Sequence, residues 1–127
     1  SSLAKNFTKA ESYYKGFENN SENSTLSQVE SMRDYIFSNL KDGDKIYFSG
    51  QGELKSRFFY PLEYFARKSK RKIERVDLEP SNTAKLDPKA NIFYIGENNS
   101  IEKIEGYEII SKKDFSRQTI FILKNQF

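Results

Sequence analysis

The chain has 127 residues, of which 21 are Lys or Arg and 18 are Asp or Glu, so its formal net charge is +3. It contains no Cys and no His, which excludes thiolate zinc sites, disulfide frameworks, Cys nucleophiles and Ser-His-Asp triads. Aromatic residues make up 15% of the chain. Because disordered chains are poor in aromatics, this composition predicts one small domain with a packed aromatic core.

Residues 1–24 differ in composition from the rest of the chain. They are rich in Ser, Asn, Lys and Glu and show neither helical nor strand periodicity. We therefore expect a linker or juxtamembrane segment here, followed by a single α/β domain over residues 25–127. The chain begins Ser1-Ser2-Leu3 rather than with Met, which suggests a piece excised from a longer protein. No apolar run is long enough to span a bilayer.

Two helices are predicted from hydrophobic spacing. The first starts with a capping box at residues 25–28 and ends at Asp42-Gly43, where Gly suits the left-handed conformation of a helix end. The second runs to Lys70. It is expected to begin near Tyr60, because Pro61 suits the first turn of a helix and disturbs a helix interior.

Five strands are predicted from short apolar or alternating runs, at residues 45–49, 73–78, 91–96, 107–110 and 119–123. A loop is expected over residues 80–89 and a single helical turn over residues 101–104. The strand–helix–strand order favours parallel neighbours, whereas the short connection between the last two strands favours antiparallel pairing. The predicted fold class is α/β, a small layered sandwich with a mixed, partly parallel sheet of about five strands and two main helices.

Gly50-Gln51-Gly52 follows the first strand and precedes a helix, which is the position of the phosphate loop in nucleotide-binding folds. Glycines there let backbone N–H groups approach an anion. The fingerprint lacks its third Gly, Glu53 would repel phosphate, and no Gly-Lys-Ser/Thr occurs in the chain. Gly50 to Gly52 are therefore either a phosphate-binding loop or an ordinary strand-to-helix loop, and we favour the ordinary loop.

Positive charge is concentrated in residues 67–75, which hold six cations and one anion. Such a cluster predicts a site that binds an anion or a lipid headgroup, formed by Arg67, Lys68, Lys70, Arg71, Lys72 and Arg75. The competing interpretation is that basic residues at a helix C-terminus offset the negative end of its dipole. Nucleic acid is a disfavoured partner, because Tyr47, Phe93 and Tyr94 are expected in the core rather than on an exposed platform.

Two pairs of neighbouring carboxylates, Asp42 with Asp44 and Asp77 with Glu79, are candidates for acid/base chemistry. All four lie in predicted turns or at strand ends, where Asp is favoured for local hydrogen bonds. We therefore assign no catalytic residue, no metal ligand and no cofactor to the chain.

Several phrases of the chain, from Gln28 to the end, occur in an order that resembles a known family. They are Leu-Lys-Asp-Gly-Asp-Lys-Ile-Tyr-Phe at 40–48, Phe-Tyr-Pro-Leu-Glu-Tyr-Phe at 59–65, residues 87–95, and Gly-Tyr-Glu at 106–108. Together they are similar to the soluble domain that follows the last transmembrane helix of polytopic glycosyltransferases using lipid-linked sugars, the dolichyl-phosphate-mannose-protein mannosyltransferase-like group. Phe93-Tyr94 stand where that family often has Trp.

The resemblance implies a non-catalytic accessory domain on the extracytoplasmic face of the cell membrane, attached to an upstream transmembrane region of the same polypeptide. The catalytic acids of that family lie outside residues 1–127. The basic residues 67–72 would then face anionic lipid or a lipid-linked sugar. Two alternatives remain open, a stand-alone nucleotide- or phosphosugar-binding domain that uses Gly50 to Gly52, and a nucleic-acid or protein interaction module that uses residues 67–75.

Overall fold

A computed structural model of the chain describes residues 26–38, 40–41, 43–78 and 86–125. In chain order these residues form α1 (Leu26–Ser38), β1 (Ile46–Gly50), α2 (Leu54–Lys68), β2 (Ile73–Arg75), β3 (Asn91–Glu97), β4 (Tyr107–Phe115) and β5 (Gln118–Asn125). The predicted linker over residues 1–24, the first residue of the capping box, and most of the predicted loop over residues 80–89 lie outside the described residues.

The five strands form one mixed sheet in the order β2-β1-β3-β5-β4. β1 pairs in parallel with both β2 and β3, while β5 pairs antiparallel with both β3 and β4. The helical connection between β1 and β2 returns the chain to the edge at which β1 began, whereas a tight turn between β4 and β5 reverses it. The predicted fold class, α/β with a mixed, partly parallel sheet of five strands and two helices, is confirmed.

Both helices pack on the same face of the sheet. Their buried side chains form one core cluster with the inward side chains of the strands, among them Val29, Ile36, Phe58, Leu62, Phe48 and Phe93. The opposite face is covered by partly buried residues of the connecting segments, such as Leu86 and Ile101, which pack on Tyr47, Ile92 and Phe121. The described part of the chain is therefore a two-layer structure.

A buried polar contact fixes α1 to the β4–β5 hairpin. The Gln28 Nε2 donates to Gln118 Oε1 at 2.8 Å and to the Phe115 carbonyl oxygen. Gln28 is 9% exposed and Gln118 is 2% exposed, so these side-chain amides satisfy one another where water has little access.

The start of α2 corrects one prediction. The helix begins at Leu54 rather than near Tyr60, and Pro61 lies inside it. A proline in a helix interior removes one hydrogen bond and costs about 3 kcal/mol. The first turns of α2 bury Leu54 and Phe58, which are 5% and 0% exposed. Burying each such side chain stabilises the fold by about 1.5–3 kcal/mol, enough together to offset the proline.

Three further predictions, on the lengths of two strands and on one connection, were wrong in detail. β2 has three residues instead of six, although the Val76 N–H still donates to the Phe48 carbonyl at 2.9 Å. β4 continues to Phe115 instead of ending at residue 110. The hydrophobic pattern did not predict this extension, because β4 is an edge strand with mostly polar side chains. Residues 101–104 form no helical turn. Instead the Ile101 side chain packs against Gly96, where a Cβ would lie 2.5 Å from Ile101 Cδ1.

Candidate anion-binding site

Lys70, Arg71 and Lys72 follow the C-terminal end of α2, at the edge of the sheet where the parallel strands begin. The N–H of Arg71 donates to the Ala66 carbonyl at 2.8 Å, which folds the chain back under the helix end. Lys70 has a φ of +57°, the left-handed conformation that such a reversal requires. The last turn and this reversal deliver Lys72 directly to the start of β2.

The parallel register adds a cation that the sequence prediction missed. Ile46 of β1 lies opposite Ile73 of β2, so the residues that precede them, Lys45 and Lys72, lie at the same edge. Parallel neighbours begin at one edge of a sheet. That rule, applied to the predicted strand–helix–strand unit, is the signal that identifies Lys45.

These segments enclose a cleft of about 320 Å³, which we call the basic cleft; it is lined by Gly43, Asp44, Lys45, Ile46, Lys70, Arg71, Lys72 and Glu74. Four cations and two carboxylates line it, so its formal charge is +2. An anion in the cleft would meet cations from two separate segments of the chain. Dipole compensation at the end of one helix does not require Lys45, the cation on the second segment.

Lys45 stays cationic under all neutral conditions. A hydrogen bond from its ammonium group to the Tyr47 side chain raises the pKa of Lys45 above its usual 10.5, and the negative charges of Glu74 and Asp87 add to the rise. The ammonium nitrogen lies 5.1 Å from the centroid of the Tyr47 ring. Tyr47 is 3% exposed and its hydroxyl accepts the Asp87 N–H at 3.1 Å. The partner of Lys45 is thus itself held in place.

The six predicted cations do not all line one cleft. Lys70, Arg71 and Lys72 line the basic cleft, whereas Arg67 and Lys68 belong to the exposed last turn of α2. Lys68 Nζ lies 4.7 Å from the centroid of the Tyr64 ring on the helix surface.

Arg75 is separated from the other predicted cations. Its Nη1 donates to Ser56 Oγ at 3.1 Å, and its Cζ lies 5.4 Å from the centroid of the Phe59 ring. Ser56 is in the first turn of α2, a helix of 15 residues and about 22 Å long. Most of the length of the helix therefore lies between the Arg75 guanidinium and the residues that follow Lys68.

The Gly50-Gln51-Gly52 loop lies at the opposite edge, where the parallel strands end. The Gln51 N–H donates to the Ile95 carbonyl at 2.8 Å. Its side-chain Oε1 accepts the Glu97 N–H and the Ser100 hydroxyl, both at 3.1 Å. These contacts join the loop to the end of β3, across the crevice where a nucleotide would sit at the switch in strand order.

The two glycines of this loop have different local requirements. At Gly50 a Cβ would lie 2.6 Å from Ile95 Cγ2, so close packing of β1 and β3 requires Gly there. Gly52 has a φ of +54°, a left-handed conformation with nothing within 4 Å of the position of a Cβ. Close strand packing and a tight turn account for both residues without a ligand.

The candidate carboxylate pairs each have one member outside the described residues, Asp42 and Glu79. Asp44 Oδ2 accepts the Lys41 N–H at 2.8 Å, and Asp77 forms an ion pair with Lys55. Within the ranges that the structure describes, no group of three or more acidic side chains is placed to hold a metal ion. No helix in that part of the chain is both long and apolar enough to cross a bilayer.

Comparisons with known proteins find only a slight likeness. No family model and no curated protein matches the sequence. The solved structures of the 16S rRNA methylase RmtB and of an rRNA methylase from Escherichia coli each align with a TM-score of 0.39 and 13% identity. The alignments cover 80% of this chain but 63% and 65% of those chains, so the chain spans less than two thirds of their length. A likeness at this TM-score carries no argument about fold or function.

Proposed function

We propose that this domain is a non-catalytic, phosphate-binding accessory domain, and that it serves a membrane glycosyltransferase that uses lipid-linked sugars. The observation that carries the binding function is the basic cleft, in which Lys45, Lys70, Arg71 and Lys72 converge from two segments of the chain. The resemblance of the sequence phrases to the soluble domain of such enzymes supports the cellular context, an extracytoplasmic surface beside anionic lipid.

The physical basis is the attraction between exposed lysines and a phosphate-bearing surface. Each Lys or Arg close to an anionic membrane contributes about 1 kcal/mol to binding. Lys70 and Lys72 are exposed, so they can contact a headgroup without the free-energy cost of moving a charge from water into the protein interior. The contacts of Gly50 and Gln51 with β3 favour this edge over the opposite one.

Charge-neutral variants of the cleft test the proposal. Lys70→Gln with Lys72→Gln should weaken binding of the full chain to phosphatidylcholine vesicles that contain phosphatidylglycerol by about 30-fold, measured by sedimentation. The matched control is Lys103→Gln with Lys112→Gln, which removes the same charge from exposed positions that do not line the cleft.

Equal loss in the two double variants would show that net charge rather than the cleft causes binding, and would refute the proposal. Salt provides a second measurement, because the screening length falls from about 10 Å at 0.1 M to about 3 Å at 1 M. Binding that survives 1 M salt would not be electrostatic. The membrane context has its own test, namely whether the upstream coding sequence encodes several transmembrane helices.

A further inference from the structure

The basic cleft is not purely cationic. Asp44 and Glu74 line it together with the four cations. Asp44 has a local structural role, since its Oδ2 accepts the Lys41 N–H. Glu74 is exposed on the edge strand β2. Its carboxylate would repel a bare inorganic anion bound beside Lys45, so a site built only for phosphate has no use for Glu74.

A second cleft adjoins the first, because Glu74 lines both of them. It has a volume of about 380 Å³ and shares Lys45 and Glu74 with the basic cleft. Its remaining lining is formed by Tyr47, Arg75, Val76, Asp77 and Leu86. A ligand with its anionic group in the basic cleft therefore has room for a further group beyond Lys45, next to a carboxylate.

We infer that the two clefts together bind the phosphate ester of a sugar or another polyol. The phosphate lies among Lys45, Lys70 and Lys72, and hydroxyl groups of the polyol donate hydrogen bonds to the Glu74 carboxylate. Hydrogen bonds to an ionised acceptor are roughly twice as strong as those between neutral groups. This inference rests on the proposed function and specifies its ligand, which can be a free sugar phosphate or the headgroup of a lipid.

The experiment compares two soluble probes on the full chain, inorganic phosphate and glucose 1-phosphate. Binding is followed by the amide NMR shifts of Gly43 and Lys72. The wild-type chain should bind glucose 1-phosphate about tenfold more tightly than inorganic phosphate. Glu74→Ala should weaken the binding of glucose 1-phosphate, because it removes the acceptor for the sugar hydroxyl groups. It should strengthen the binding of inorganic phosphate, because it removes the repulsion between the carboxylate and the anion. Glu108→Ala, an exposed carboxylate on β4 that lines neither cleft, should change neither.

The opposite signs separate this inference from its alternatives. If Glu74→Ala strengthens the binding of both probes equally, Glu74 acts only by repelling the anion. The inference is then overturned, and the proposed function stands. If the wild-type chain binds neither the soluble probes nor anionic vesicles, both are overturned.

The source of the ligand is settled by vesicles that contain either phosphatidylinositol or phosphatidylserine, which carry the same net charge. A preference for phosphatidylinositol that Glu74→Ala removes supports a lipid headgroup. The same Glu74 dependence seen only with glucose 1-phosphate supports a soluble sugar phosphate. If Glu74→Ala changes the preference in neither assay, the polyol inference is overturned.

Discussion

Replacing Gly50 by Ala tests whether this Gly is required by strand packing. Gly50 does not have a positive φ, so Ala would fit its backbone, and reduced freedom of the unfolded chain would by itself stabilise the fold by about 0.5–1 kcal/mol. A Cβ would however lie 2.6 Å from Ile95 Cγ2, 3.0 Å from the Ile95 carbonyl oxygen and 3.0 Å from Lys55 Cα. Two of these atoms are backbone and cannot rotate away. Overpacking of this kind costs about 1–3 kcal/mol.

The net expectation is a loss of about 1–2 kcal/mol in the free energy of unfolding, since the clash outweighs the entropic gain. In urea this should lower the unfolding midpoint by about 1 M with an unchanged slope. Ile95→Leu removes the Cγ2 methyl group. The double variant with Gly50→Ala and Ile95→Leu should therefore lose less stability than the sum of the losses in the two single variants. A Gly50→Ala variant as stable as the wild type or more stable, or additive effects of the two substitutions, would show that the Cβ does not clash with Ile95.

Three further predictions concern other parts of the domain. Gln28→Leu should cost about 1–3 kcal/mol in urea unfolding, because it leaves the buried Gln118 amide oxygen without its donor, whereas an unchanged midpoint would show that water replaces that donor. Burial raises the pKa of Tyr94 above its usual 10.0, so the unfolded state loses the Tyr94 proton at a lower pH than the folded state. The free energy of unfolding should therefore fall as the pH rises above 10.0. Tyr94→Phe should lose less stability over that range, and an identical alkaline profile in the two proteins would contradict the pKa shift. Ser116 has a φ of +57° in the β4–β5 turn, so Ser116→Gly should stabilise the domain by about 0.5–1 kcal/mol; a lower melting temperature would contradict this.

The candidate site shows which part of a binding surface a linear pattern can indicate. Residues 67–72 stand out because their charges are adjacent in the chain, and three of them do line the basic cleft. Arg75 is equally close in sequence but extends along the first turns of α2, where it contacts Ser56. Lys45 is remote in sequence and joins the site through the register of β1 and β2. Proximity in the chain is a sound guide inside one turn and fails once a strand begins.

The sequence by itself determined the class of the fold, because apolar periodicity distinguishes helices from strands and connection length decides between parallel and antiparallel pairing. It also marked the start of β3 and the left-handed φ of Gly43, which is +86°. The predicted helix end at Asp42-Gly43 was wrong, because α1 ends at Ser38. Only the tertiary structure decided where α2 begins, since the burial of Leu54 and Phe58 outweighs the local cost of Pro61. The same holds for the basic cleft, because the attraction of its cations for an anion depends on distances that the pairing of β1 with β2 sets.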